Sequence, residues 1–328
     1  MQFNKTIDLL SIGNTIVDLE YRVTEEKLNA LSVEKGSMTL IEKPAKDELL
    51  ATLGSPVHQC SGGSTANSIY VASLFGISTG HVGVIGQDDL GAFTKTDYKN
   101  STISTAFETT TVNGDTACCI VLITPDGERS MLTYLGESAN FPTGHYINDM
   151  ITSSRCVFIE GYLVASDHAF ELIKSTILPA AAAANTAIAF TLSDAGLVSF
   201  FNDRFMTILD HGVDYLFSNL NEAKTISKAS NLDDIMIALS RFSNEVIVTD
   251  GSTGAYTFTD NTTTVHPTVA LTAIDTTGAG DAFAGTYLAQ RLTDIAIDTA
   301  GKKANELAGT VISNYGARPA ELTHHFSA

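Results

Sequence analysis

A glycine-rich stretch reads Ile274-Asp275-Thr276-Thr277-Gly278-Ala279-Gly280-Asp281. An apolar, β-branched run at residues 269–274 leads into it, and an apolar run at 282–288 leaves it with a helical pattern. The sequence therefore predicts a strand, a tight glycine turn and the start of a helix. The two glycines allow positive φ and let a ligand approach the backbone without a Cβ in the way.

The predicted turn is suited to bind an anion. Its amides, from Gly278 through Ala279 and Gly280 to Asp281, would lie at a helix N-terminus with no intrahelical acceptor and with the positive end of the helix dipole behind them. The Asp281 carboxylate would repel a phosphate there unless it has another task. A general base that deprotonates an attacking hydroxyl, while the amides hold the transferring phosphoryl group, explains both features. An ordinary helix cap is the alternative, but the strand-to-helix context favours a functional site.

Length and composition restrict the classes of partner. The chain has 328 residues, 44% of them hydrophobic, and a formal net charge of -18. That charge argues against nucleic acid or anionic membrane partners, so a phosphorylated ligand would need local amides and a few cations. The four cysteines have no C-x-x-C spacing, and no signal peptide pattern or apolar run of about 20 residues is present. We expect a cytoplasmic protein with buried thiols and no membrane span.

Two stretches in the first quarter of the chain predict a binding site for hydroxyl groups. The first buried strand, residues 9–13, is followed by Asn14 and Asp18, and open α/β sheets place ligands beyond the carboxyl ends of their strands. A carboxylate at position 18 can accept hydrogen bonds from a diol, although a turn aspartate is the simpler interpretation from this residue alone. The second stretch, residues 60–68, predicts a helix start where Gly62 and Gly63 admit a ligand and Asn67 lies one turn in. An ordinary glycine turn is the alternative there.

A β-hairpin is predicted over residues 116–134. Pro125-Asp126-Gly127 is a turn because proline presets φ and glycine takes the positive-φ position. Arg129 on the returning strand is either an exposed strand charge or a guanidinium that pairs with phosphate. With short strands at 19–23 and 37–41, the hairpin predicts a small sheet apart from the main one, a lid formed by about 15–42 and 107–135.

From about residue 145 the chain alternates between strand and helix patterns, which predicts a mostly parallel sheet with right-handed crossovers. Glu160 and Tyr162 lie at the end of one strand, and Tyr162 either stacks on a base or sugar or belongs to the core. Asn219 and Glu222 form N-x-x-E after another strand. Their hard oxygen atoms suit magnesium and its waters, or they form a helix cap.

These motifs, in this order, resemble the ribokinase/PfkB family of small-molecule kinases, and G-G-S-T-A-N-S is most similar to its adenosine-kinase branch. The resemblance covers nearly the whole chain. It implies a single α/β domain, residues 1–328, with a ribokinase-like, mostly parallel sheet, helices on both faces and a small β-sheet lid. Asp281 would be the catalytic base, and the turn before it the anion hole.

The resemblance also implies ligands for the remaining positions. Substrate hydroxyls and the groups around them would be bound by Asn14, Asp18, Gly62, Gly63, Asn67, Arg129, Glu160 and Tyr162. ATP would be bound by Asn219, Thr249, Gly251, Gly254, Thr277 and Asn305. Magnesium would be held through water by Glu222 and Asn219, and a monovalent cation such as potassium by the backbone carbonyls of Asp275 and Thr277.

The expected activity is ATP-dependent phosphorylation of the primary hydroxyl of a nucleoside or ribose-type sugar, with adenosine as the first candidate. The alternatives are a ribokinase or fructokinase, and a catalytically silent family member that only binds a ligand. The expected partner is a small molecule, with neither nucleic acid nor membrane. The sequence leaves open whether the protein is a monomer or a homodimer.

Overall fold

The structure is a computed structural model that describes residues 5–142, 144–268, 274–314 and 316–319. The strand predicted before the glycine turn, residues 269–274, lies outside the described residues except for Ile274. Within the described ranges, no helix combines the length and the apolar character that crossing a membrane requires.

The described strands are β1 (Ile7–Ile12), β2 (Ile16–Arg22), β3 (Met38–Leu40), β4 (His58–Gly62), β5 (Thr79–Val82), β6 (Ile85–Gly86), β7 (Ile103–Thr105), β8 (Thr111–Val112), β9 (Ala117–Ile123), β10 (Arg129–Tyr134), β11 (Ser154–Glu160), β12 (Ala187–Thr191), β13 (Val213–Asn219), β14 (Ser243–Thr249), β15 (Gly254–Thr259) and β16 (Thr262–Pro267). The described α-helices are α1 (Glu25–Ala30), α2 (Lys43–Leu53), α3 (Ser64–Ser73), α4 (Asp89–Asn100), α5 (Phe107–Thr110), α6 (Tyr146–Thr152), α7 (Asp167–Leu172), α8 (Leu178–Ala184), α9 (Ala195–Phe200), α10 (Asn202–Leu209), α11 (Leu220–Ser227), α12 (Leu232–Leu239), α13 (Ala279–Leu292) and α14 (Ile297–Ile312).

The described residues form a nine-stranded main sheet in the order β16-β15-β14-β13-β12-β11-β1-β5-β7. All neighbours from β7 to β14 pair in parallel, and only β15 and β16 add antiparallel strands at one edge. The carboxyl ends of the parallel strands therefore meet at one edge of the sheet, which is where this class of sheet binds ligands.

Both faces of the main sheet are covered. On β11, Val157 and Ile159 belong to one apolar core, while Cys156 and Phe158 belong to the other. This alternation follows from the period of two along a strand, and each face packs against its own layer of helices. The predicted α/β fold with a mostly parallel sheet is confirmed.

A separate five-stranded sheet, here called the small sheet, has the order β3-β10-β9-β2-β4 among the described residues. The predicted hairpin forms its β9 and β10. The sheet also contains β4, because residues 58–62 pair with β2. The sequence predicted the start of a helix there. Residues 107–112 form α5 and β8, and β8 pairs with β6 outside the small sheet. That the small sheet moves as a lid stays a prediction.

The helix start predicted within residues 60–68 is observed at Ser64, after β4. A π turn at Ile173–Ile177 separates α7 from α8. Pro179 lies at the start of α8 and has no amide hydrogen to donate, so the helix widens just before it.

Candidate active site

The glycine turn forms as predicted and starts α13. Gly278 caps the helix with φ of 77°, in the left-handed region. A Cβ on Gly278 would lie 2.6 Å from the Cα of Ala317, so the turn is packed tightly against the loop that follows α14. A Cβ on Gly280 would meet no atom within 4 Å. The side of the turn at Gly280 therefore faces open space, where a ligand can approach.

The backbone amides of the turn are mostly available. Among the described residues, no oxygen accepts a hydrogen bond from the amides of Gly278, Gly280 or Asp281, whereas the amide of Ala279 donates to the carbonyl of Thr276 at 3.3 Å. Three donors thus remain for an anion at a helix N-terminus. The Ala279 amide, predicted to belong to the same group, already has a long hydrogen bond within the turn.

Asp281 projects from the first turn of α13 toward α3. Its carboxylate accepts hydrogen bonds from the Oγ of Ser64 at 2.7 Å and from the Nδ2 of Asn67 at 3.1 Å. Burial raises the pKa of Asp281 to about 6, although these two hydrogen bonds and the positive charge of Arg318 oppose the rise. The carboxylate is half-buried rather than turned into the core, so it can exchange a proton with a ligand.

A cleft at the carboxyl edge of the main sheet joins the predicted catalytic and nucleotide groups. Gly280 and Asp281 line it together with Asn219, Glu222 and Thr249, which lie at or just beyond the ends of β13 and β14. Residues that are distant in the chain, such as Asn219 and Asp281, thus meet in one place because parallel strands end at the same edge.

The N-x-x-E pair forms a helix cap and also faces this cleft. Asn219 and Glu222 make a reciprocal capping box at the start of α11. The Oε2 of Glu222 accepts from the Asn219 amide at 3.0 Å, and its Oε1 accepts from Asn219 Nδ2 at 2.6 Å. Glu222 is only 4% exposed, and burial raises its pKa to about 7. The cap therefore forms, and both residues also line the cleft.

The same pair fits a magnesium ion held through water. Each carboxylate oxygen of Glu222 still has a lone pair after capping, and such hard oxygens suit magnesium. The described part of the chain contains no group of three or more His, Cys, Asp or Glu arranged to hold a metal. An ion here would keep most of its waters, which is the usual behaviour of magnesium.

Asp18 lies on β2 of the small sheet and is free to accept hydrogen bonds. No described residue donates to its half-buried carboxylate. Burial raises the pKa of Asp18 to about 7, and the charges of Arg318 and Arg129 oppose this. Gly62 on the neighbouring β4 makes room for it, because a Cβ there would lie 2.5 Å from Asp18 Oδ2. These features suit the predicted binding of substrate hydroxyls.

Asn14 and Glu160 lie beneath the site and bind each other. The Nδ2 of Asn14 donates to Glu160 Oε1 at 2.7 Å, and Thr65 donates to Oε2 through both its amide and its hydroxyl. Glu160 is 1% exposed, and burial raises its pKa to about 7. Gly63, with φ of 102°, caps α3 directly above the Asn14 carbonyl. This network joins β1, α3 and β11, and a direct contact of Asn14 or Glu160 with substrate stays a prediction.

Arg129 connects the small sheet to the glycine turn. Its Nη1 donates to Asp275 Oδ2 at 2.6 Å, and its Nη2 donates to Glu20. Asp275 also accepts from the amides of Thr277 at 2.9 Å and Gly316 at 3.0 Å. The guanidinium therefore lies beside the glycine turn, where it pairs with carboxylates of the protein, and its binding of phosphate or substrate stays a prediction.

Tyr162, Gly254 and Asn305 do not line the cleft around Asp281. Tyr162 donates to the carbonyl of Ser193 at 3.3 Å and is half-buried. Gly254 packs against the carbonyl of His266, which also accepts from Asn305 Nδ2 at 2.6 Å. Those two residues therefore meet at the end of β16, and neither lines the cleft around Asp281.

Gly251 and the predicted monovalent cation site complete the set. Gly251 has φ of 50° and is exposed after β14. The carbonyls of Asp275 and Thr277 accept no hydrogen bond from a described residue. They remain available to a cation, and their role as ligands stays a prediction.

Ser64, which donates to Asp281, and Arg318, which donates to Asn67, were not among the predicted site residues. Ser64 belongs to the G-G-S-T-A-N-S motif. Its hydroxyl group, which can donate to a carboxylate, was the only feature of the sequence that could have indicated this contact. Arg318 donates from its Nε to the Oδ1 of Asn67 at 2.9 Å. Nothing in the local sequence of Arg318 indicates a partner 251 residues away.

Comparisons with known proteins identify the family of the chain. The family model described as pfkB family carbohydrate kinase matches residues 8–324. Adenosine kinase 2 of Arabidopsis thaliana is 25% identical over 94% of both chains. An ATP-dependent ribose-1-phosphate kinase of Halopiger xanaduensis is 29% identical over 80% of this chain and 83% of its own. The crystal structure of adenosine kinase from Sinorhizobium meliloti matches with a TM-score of 0.85 and 29% identity, over 96% of both chains.

The family model spans most of the sequence, and the solved relative shares the ribokinase-like architecture that the motifs predicted. The chain therefore belongs to the pfkB family of carbohydrate kinases and is an ATP-dependent kinase.

Proposed function

We propose that the protein transfers the terminal phosphoryl group of ATP to the primary hydroxyl of a nucleoside or ribose-type sugar, with adenosine as the first candidate. One observation carries the proposal. A half-buried carboxylate, Asp281, lies in the first turn of a helix, where the amides of Gly278, Gly280 and Asp281 have no acceptor among the described residues. The relatives named above include kinases of adenosine and of ribose 1-phosphate, which supports this substrate class.

In this mechanism Asp281 accepts the proton of the primary hydroxyl while that oxygen attacks the terminal phosphorus of ATP. The bond between that phosphorus and the β–γ bridging oxygen breaks, and ADP leaves. The amides of Gly278 and Gly280 stabilise the charge on the transferring phosphoryl group. Asp18 accepts hydrogen bonds from substrate hydroxyls, and the small sheet covers the site so that water does not compete with the substrate.

Magnesium, held through water near Asn219 and Glu222, would neutralise charge on the phosphates of ATP. The Glu222 carboxylate lines the cleft and is oriented by its capping bonds to Asn219, which supports this role.

A substrate screen tests the proposed acceptor. ATP consumption is measured with adenosine, other nucleosides, ribose, ribose 1-phosphate and fructose. We expect turnover to be highest with a nucleoside. Preference for ribose or fructose would instead assign a sugar kinase. Thermal stabilisation by a ligand without turnover on any acceptor would indicate a silent binding protein.

The base is tested by Asp281→Asn. We expect kcat to fall by roughly 10²–10⁴, the range for a positioned general base, with ATP binding close to that of the wild type. Single-turnover kinetics and ATP titration by calorimetry separate the two effects. Unchanged turnover would remove Asp281 from the mechanism.

A further inference from the structure

Arg318 holds the residue that orients the proposed base. Its Nε donates to the Oδ1 of Asn67 at 2.9 Å, and the Nδ2 of Asn67 donates to Asp281 Oδ2 at 3.1 Å. Arginine can only donate hydrogen bonds. The Asn67 oxygen must therefore face Arg318, and its NH₂ group must face the carboxylate. The arginine thus decides which way the amide points.

The guanidinium is itself held firmly. It lies over the rings of Tyr70 and Tyr98, with centroid distances of 5.0 and 5.8 Å. Its Nη1 is 3.6 Å from a carboxylate oxygen of Asp97 on α4. The arginine side chain is 13% exposed. A planar cation stacked between aromatic rings loses little further freedom when it forms a hydrogen bond.

The loop that carries Arg318 is also packed against the glycine turn. Ala317 lies against Gly278, and the amide of Gly316 donates to Asp275. The loop thus touches the turn directly and the base indirectly. The charge of Arg318 also opposes the rise in the pKa of Asp281 that burial causes.

We propose that Arg318 is a positioning residue for the phosphoryl transfer, which acts on Asp281 by fixing the orientation of the Asn67 amide. The role rests on the proposed function, since it concerns the base of that reaction. Without Arg318 the amide can rotate and present its oxygen to the carboxylate, where two acceptors repel each other. The base would then lose a donor and its fixed position.

The test uses Arg318→Met, because methionine keeps apolar packing on the two tyrosines and removes the donor. We expect kcat to fall by about 10- to 100-fold, the scale of a small misplacement of a catalytic group, while the KM for ATP changes by no more than about twofold. Arg155→Met is the matched control. Arg155 pairs with Asp8 at the far end of β11 from Glu160, and we expect its kcat to equal that of the wild type.

A double-variant comparison separates positioning from a general structural effect. If Arg318 acts through Asn67, then Asn67→Ala with Arg318→Met has about the kcat of Asn67→Ala alone, because coupled residues are not additive. The comparison is repeated with Arg318→Lys, so the result does not depend on how well the methionine variant folds. Wild-type kcat in Arg318→Met, or equal losses with and without Asn67, would overturn the role of Arg318 alone. Absence of wild-type turnover across the substrate screen would overturn the proposed function and this role with it.

Discussion

At the scale of single residues, Asp281 has the properties a base needs. Burial raises its pKa to about 6, so it is ionised at neutral pH yet accepts a proton more readily than an exposed aspartate. General bases are most effective when their pKa lies near the working pH. Two donors, Ser64 and Asn67, hold the carboxylate in place without protonating it.

The two glycines of the turn differ in what they make possible. Gly278 needs its hydrogen for the fold, since φ is 77° and Ala317 leaves no room for a Cβ. Gly280 has open space where a Cβ would stand, and in the proposed mechanism a phosphoryl group occupies that space.

We therefore predict that Gly280→Ala folds normally but loses activity, whereas Gly278→Ala loses stability. For Gly280→Ala the melting temperature should stay within a few degrees, with a fall in kcat/KM for ATP of about 10²-fold, similar to the loss of one oxyanion donor. For Gly278→Ala we expect a loss of roughly 1–3 kcal/mol from backbone strain. Thermal unfolding and steady-state kinetics check both. A fully active Gly280→Ala would show that no anion binds beside this residue.

At the scale of elements, the start of α11 combines a structural and a proposed chemical role. The capping box of Asn219 and Glu222 satisfies helix amides, and the same carboxylate lines the cleft with Asp281. A helix cap alone would not require a charged carboxylate, because glutamine also completes a capping box.

This difference leads to a prediction for Glu222→Gln. The helix should stay capped, so the free energy of unfolding changes by no more than about 1 kcal/mol. The magnesium concentration for half-maximal rate should rise about 10- to 100-fold, as for other residues that orient a metal and its ligands. Rates are measured at fixed ATP over a magnesium titration.

Asn231→Ala supplies the matched control for this element. Asn231 caps α12 by accepting from the amide of Asp234 and lies outside the cleft. It should lose about 1 kcal/mol of stability and keep the magnesium dependence of the wild type. If Glu222→Gln also keeps that dependence, Glu222 is a cap and nothing more.

At the scale of the whole molecule, the Arg129 side chain joins the small sheet to the glycine turn. Arg129 extends from β10 of the small sheet to Asp275 beside the glycine turn, and it also pairs with Glu20 on β2. The three side chains are 10%, 3% and 11% exposed. Removing the cation would therefore leave two buried carboxylates without their partner.

We predict that Arg129→Met lowers the free energy of unfolding by roughly 3–5 kcal/mol, the cost of breaking a buried ion pair from one side. Amide hydrogen exchange should also become faster in β2 and β9, because the small sheet loses its ion pair with Asp275 beside the glycine turn. Urea unfolding and exchange mass spectrometry measure these effects. Arg155→Met, which breaks a more exposed pair with Asp8, should cost no more than about 1 kcal/mol. Equal stability of the two variants would show that Arg129 does not tie the small sheet to the glycine turn.

The sequence by itself determined the features that depend on a few neighbouring residues. The glycine turn before α13, the hairpin around Pro125-Asp126-Gly127 and the alternating strands and helices all formed, because backbone preferences and apolar periodicity act over short distances. The order of several family motifs then indicated the fold. Even at this scale β4 was missed, since pairing with β2 decided that residues 58–62 are extended.

Only the tertiary structure decided which side chains meet at the proposed base. Ser64 and Asp281 are 217 positions apart, and Arg318 and Asn67 are 251 apart. Such pairs depend on the order of strands in the main sheet and on the path of the loop after α14, and no local preference encodes them. The same holds for Arg129, whose local sequence shows a hairpin charge, whereas its partners are Glu20 on the small sheet and Asp275 beside the glycine turn.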